Sequence, residues 1–90
     1  MSSLNHNQKL LAQDICWYGV KYHTGIKDWH ILENAYAYIE FIDGTQLEFA
    51  VVDDVVLATE MTGVDADGNR QYDSWAICRF GEKNYRRKGA

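Results

Sequence analysis

Ninety residues with an apolar share of 47%, twelve aromatic side chains and no proline describe one domain with a single core and argue against a disordered chain. No apolar run approaches the roughly 18 residues a membrane span requires, and the opening MSSLNHNQ lacks the charged start and apolar middle of a secretion signal, so the expected location is cytoplasmic. The net charge of −4 is segregated: +2 over residues 1–27 (Lys9, Lys21 and Lys27 against Asp14), −10 over 28–82 (twelve acids against Arg70 and Arg79) and +4 over 83–90 (Lys83, Arg86, Arg87 and Lys88).

An amphipathic helix is expected from about His6 to His23. Leu4, Leu11, Ile15, Tyr18 and Tyr22 recur at spacings that fall on one side of a 3.6-residue period. Asn5 with Gln8 three residues on has the form of a capping box, and Gly25 suits the far end. Gly19 inside the pattern costs about 1 kcal/mol relative to Ala, so the helix could stop there instead. Between Gly25 and Asn34 the signals are mixed. A short helix or irregular linker is favoured over a strand from Trp29 to Glu33.

The stretch from Ala35 to Met61 holds the longest strand-like alternation and centres on Asp43-Gly44, a tight-turn dipeptide. A two-residue loop would place Glu40 beside Leu47 on a face with Tyr38 and Phe49, burying a carboxylate among apolar groups. A three-residue loop of Ile42, Asp43 and Gly44, with Gly44 left-handed, pairs Phe41 with Thr45, Ile39 with Leu47 and Ala37 with Phe49. Ala35, Ala37, Ile39, Phe41, Thr45, Leu47, Phe49 and Val51 then form an inner face. Tyr36, Tyr38, Glu40, Gln46, Glu48 and Ala50 form an outer one.

Asp53-Asp54 breaks the pattern before a third strand, Val55 to Thr62, in which Val55, Leu57, Thr59 and Met61 alternate with Val56, Ala58, Glu60 and Thr62. After the turn-rich Gly63 to Asn69, a fourth strand from Gln71 to Phe80 is apolar on both sides, which suits a central strand or one that meets a partner. The expected fold is α+β: an N-terminal amphipathic helix on one face of a three- to four-stranded antiparallel sheet, in a single domain over residues 1–82. Residues 83–90 are expected to form a basic, mobile tail.

Few residues point to chemistry. Asp65, Asp67 and Asn69 match the first positions of a calcium loop, but Arg70 and Ala76 stand where glycine and glutamate are needed. Cys16, His23, His30 and Cys78 supply zinc-type ligands without a close pair, and the two cysteines are expected to be buried and reduced. Neither cysteine has a glycine-rich turn to expose it as a nucleophile, and Asp53-Asp54 suits a solvated turn better than an acid and base couple. No catalytic residue, metal or cofactor is expected, and the chain is not expected to be an enzyme.

The acidic body suggests a small interaction protein, of the kind found among inhibitors and phage or bacterial anti-defence and immunity proteins, that docks on a basic surface of a protein partner. The candidate residues are Tyr36, Tyr38, Glu40, Glu48, Asp53, Asp54 and Glu60. Alternatives are a homodimer joined through the last strand with Trp75 and Ile77 outward, and a weak nucleic-acid contact through Lys83, Tyr85, Arg86, Arg87 and Lys88, which the acidic body disfavours. A third is a small-ligand site walled by Trp29, Tyr72 and Trp75.

Overall fold

A computed structural model of the chain describes residues 5–32 and 36–89. Leu4, Glu33, Asn34 and Ala35, used in the reading above, lie outside the described residues.

The helix α1 spans His6–Tyr22. Its start is the expected capping box: the Asn5 side chain accepts the Gln8 N–H at 2.8 Å, and the Gln8 carboxamide oxygen accepts the Asn5 N–H at 2.7 Å. The helix runs through Gly19, whose carbonyl accepts the N–H groups of both His23 and Gly25 at the far end. Leu11, Ile15 and Tyr18 are the buried apolar positions on it.

The linker region is a strand. β1 covers Ile26–Ile31, followed by β2 (Tyr36–Phe41), β3 (Gln46–Val52), β4 (Val55–Val64) and β5 (Arg70–Arg79). They form one antiparallel meander in the order β1-β2-β3-β4-β5, five strands where three to four are expected from sequence. Four of the six β1 residues, Lys27 to His30, are exposed because β1 is an edge strand, and a bulge at Lys27 breaks its period of two. The apolar and polar alternation that marks a half-buried strand is therefore missing there.

The β2–β3 hairpin takes the three-residue loop. The Phe41 N–H donates to the Thr45 carbonyl at 2.9 Å, Ile39 faces Leu47 and Ala37 faces Phe49, with Gly44 at φ 89°. Asp43 serves that loop twice: one carboxylate oxygen accepts the Thr45 N–H and the other meets His23 Nδ1 at 2.8 Å. The Thr45 bond first and His23 second hold the Asp43 carboxyl below its usual pKa. The His23 ring also stacks on Phe41 at 4.6 Å, tying the end of α1 to the hairpin.

The core lies between α1 and the inner sheet face. It joins Leu11, Ile15 and Tyr18 to Ala37, Ile39, Phe41, Leu47, Phe49, Val56, Ala58, Ile77 and Cys78. The two-sided apolar character of the last strand has a local cause. Val56 pairs with Cys78 and Leu57 with Ala76, so Ile77 is the extra residue of a bulge, and Ile77 and Cys78 are both buried. Ile77 has no exposed surface and Trp75, opposite Ala58, faces the same core; the outward dimer contact expected of this pair is thereby corrected.

The C-terminal segment packs on the helix side of the sheet. Tyr85 is buried, its hydroxyl donates to Asp14 Oδ1 at 3.0 Å, and the Gly81 N–H donates to Asp14 Oδ2 at 3.2 Å. The Tyr22 hydroxyl donates to the Tyr85 carbonyl, and the Arg86 N–H donates to the Ile77 carbonyl at the β5 edge. Asp14 is thus a buried carboxylate whose two oxygens hold the end of the chain. Burial pushes its pKa up, while its two hydrogen bonds pull the other way.

Candidate functional site

With α1 on one side only, the outer sheet face is uncovered among the described residues, and its side chains stand in rows fixed by the strand register. His30, Tyr38, Glu48, Thr59 and Ser74 are successive cross-strand neighbours, the last two joined through their hydroxyls at 2.9 Å. One row further, Asp28 faces Glu40, Glu40 faces Gln46, and Met61 faces Tyr72. Bulges at Lys27, Thr62 and Ile77 add local twist, and the outer face forms a groove of about 350 Å³. Asp28 and His30 line it at one end and Arg70 and Tyr72 at the other, with Tyr38, Glu40, Glu48 and Met61 between.

Tyr36 and Tyr38 project from the same strand face with ring centroids 5.2 Å apart and planes at 62°. The Tyr36 hydroxyl donates to Glu48 Oε2 at 2.7 Å. That hydrogen bond, with burial and the Glu48 charge behind it, raises the Tyr36 phenol to about 12. A spectrophotometric titration is therefore expected to show a phenol ionising near pH 12 that Glu48→Ala returns toward 10, while Tyr18 and Tyr85, raised chiefly by burial, stay high in both proteins. Identical titration curves for the two proteins would show that the bond does not form in solution.

The seven residues chosen from sequence divide among three places. Tyr36, Tyr38, Glu40 and Glu48 share the outer face. Asp53 and Asp54 form the β3–β4 turn at one end of the sheet, both with positive φ, as the two-residue hairpin demands. Glu60 is on the opposite face, because it alternates in phase with Val56 and Ala58. There it meets Lys88 Nζ at 3.0 Å, and Lys88 also reaches Asp73 at 2.8 Å. Asp28 and Met61 belong to the groove and are not among the site residues named from sequence, because Asp28 lies in the strand that sequence does not reveal and Met61 carries no charge signal; Tyr72, named only as a wall of a small-ligand site, lines the groove as well.

The remaining constellations do not assemble. Trp29 and Trp75 are on the helix side of the sheet and Tyr72 is on the outer side, so the three wall no common cavity. Among the described residues no three His, Cys, Asp or Glu side chains cluster as a metal site requires. In the Gly63 to Asn69 loop, Asp65 Oδ1 accepts the N–H groups of Asp67 and Asn69. Both thiols are free; Cys78 is buried as expected, and burial raises its thiol to about 12, but Cys16 is exposed on α1. Of the C-terminal residues that could contact nucleic acid, Tyr85 is buried and Lys88 is paired, while Lys83, Arg86 and Arg87 are exposed. No described helix is long and apolar enough to cross a membrane.

Fold and site together define an α+β protein that has, among the described residues, one helix, a five-stranded antiparallel meander and an open, tyrosine- and carboxylate-lined outer face. No protein-family model, curated protein or solved structure matches this chain.

Proposed function

We propose that this chain is a small non-catalytic interaction protein, of the inhibitor or immunity type, that docks its outer sheet face on a basic surface of a protein partner. The observation that carries the reading is the groove itself, which brings Tyr38, Tyr72, Glu40, Glu48 and Asp28 together on the outer face, with Tyr36 beside it on the same face. Tyrosines supply contact area with a polar tip, and carboxylates speed encounter with a basic partner. Asp53, Asp54 and Glu60 are left out of the contact, since they lie at the sheet end and on the other face. The test is capture from source cells at low and high salt, with a photo-crosslinker in place of Tyr38. A basic protein should be held at low salt, cross-link through position 38, and lose at least about tenfold in association rate against Glu48→Lys. Equal retention by wild type and Glu48→Lys would end the proposal.

The second reading, a homodimer through the last strand, keeps one observation in its favour. Among the described residues the edge of β5 from Arg70 to Ala76 has no neighbouring strand, whereas the β1 edge is capped: Asp28 accepts the Trp29 N–H, and Gln8 donates to the Ile31 carbonyl. Sedimentation across concentrations tests it, and a monomer throughout removes it.

A further inference from the structure

Glu40 and Glu48 are both half-buried on the outer face, yet neither has a cationic partner within 4.0 Å among the described residues. They belong to adjacent rows, since Tyr38 faces Glu48 and Glu40 faces Gln46 across β2 and β3. Tyr38 shares the Glu48 row and lies along β2 between Glu40 and Tyr36, whose ring is 5.2 Å away and whose hydroxyl donates to Glu48 Oε2, and Tyr72 lines the same groove from β5. Only two side chains lining the groove can be positive. His30 lies 3.7 Å from Asp28, and Arg70 makes no ion pair or cation–π contact among the described residues.

We propose that the groove is a slot for one arginine side chain of the protein partner, its guanidinium held between Glu40 and Glu48 and stacked on Tyr38. This rests on the docking reading and names the group that the docking face takes. Three properties favour guanidinium over ammonium. It is planar and stacks on a tyrosine face, its fork of donors can serve two carboxylates at once, and it is more weakly hydrated, so it enters a half-buried site more readily. A groove of about 350 Å³ holds the side chain together with part of the backbone that carries it. Arg70 at the rim opposes the incoming charge.

The probe is N-acetyl-argininamide, followed by NMR of the tyrosine rings, with N-acetyl-citrullinamide as the uncharged analogue of the same shape. A saturable shift at Tyr38 and Tyr72 is expected for the arginine compound, with at least about tenfold weaker binding of the citrulline compound. Glu40→Gln and Glu48→Gln should each weaken arginine binding about five- to tenfold, and Arg70→Ala should tighten it about threefold. No saturable shift, a shift confined to other residues, or equal affinity for the two probes overturns the slot. If Tyr38-dependent, salt-sensitive capture of a basic protein persists in that case, only the arginine assignment has failed; if capture also fails, the docking reading falls with it.

Discussion

Tyr85→Ala is expected to lower the unfolding free energy by about 3–5 kcal/mol, the cost of removing a large buried aromatic side chain. A 90-residue chain commands in total only about 5–13 kcal/mol. The segment beyond Gly81 is therefore expected to act as part of the fold. Tyr85 fills the inner side of the sheet beside α1, and its hydroxyl meets one oxygen of a carboxylate that is 2% exposed. Tyr85→Phe isolates the polar part of that effect. It keeps the ring and removes a hydrogen bond to a charged group, at about 1.5–3 kcal/mol. Chemical denaturation of the three proteins measures both, and a Tyr85→Ala protein as stable as wild type would show that the segment does not dock.

The same contact gives stability a pH dependence with a definite sign. The folded-state pKa of Asp14 is raised above 3.8, chiefly by burial. Between 3.8 and that raised value the folded protein holds a proton that the unfolded chain has released. Stability from this group is complete below 3.8 and declines as pH rises through the folded-state value. In Tyr85→Phe the hydrogen bond that favours the ionised form is gone, so the pKa climbs further and the decline extends to higher pH. Removing residues 83–90 would remove the same contact, so loss of any property on truncation would report unfolding as readily as loss of basic side chains. Arg86→Ala and Arg87→Ala, at exposed positions, avoid that confusion.

What sequence reveals and what it hides follow one physical line. The β2–β3 register is legible because one residue of slip would bury Glu40, and the helix start is legible because Asn5 and Gln8 answer each other within a single turn. Both are local. β1 is hidden because an edge strand with a bulge at Lys27 loses its alternation, and β5 misleads because the bulge at Ile77 puts two successive apolar residues on one side. Asp14 looks like an ordinary helix acid, since its partner Tyr85 is 71 residues away. The charge of Glu60 suggests the outer acids, but its place in the Val56, Ala58, Glu60 series puts it on the inner face. One end of the groove is hidden for the same reason as β1: Asp28 and His30 reach it only from that strand.

Gly19→Ala is expected to destabilise the protein by about 1–2 kcal/mol, against a helix preference that favours Ala by about 1 kcal/mol. The preference loses because of what lies above the glycine. A Cβ there would stand 2.7 Å from Phe41 Cε1, 3.0 Å from Phe41 Cδ1 and 3.5 Å from Ile26 Cγ1. Contacts of 2.7 Å between carbon atoms are strongly repulsive, so either the ring or the helix must move. The Phe41 ring has no exposed surface and is enclosed by His23 at 4.6 Å, Tyr18 at 6.3 Å and Phe49 at 6.3 Å edge-on. A close-packed ring yields little, which puts the overpacking cost in the upper part of about 1–3 kcal/mol. Gly19→Val adds two further methyl groups against the same ring and should cost about 3 kcal/mol or more. The cause can be separated from helix propensity with a second substitution. Phe41→Leu removes the atoms that collide, so in the Gly19→Ala background it should cost at least about 0.5 kcal/mol less than in the wild type, a coupling that denaturant melts of the four proteins would measure. If Gly19→Ala instead raises Tm, the helix and β2 can part by the few tenths of an ångström required, and Gly19 is not what sets their closest approach.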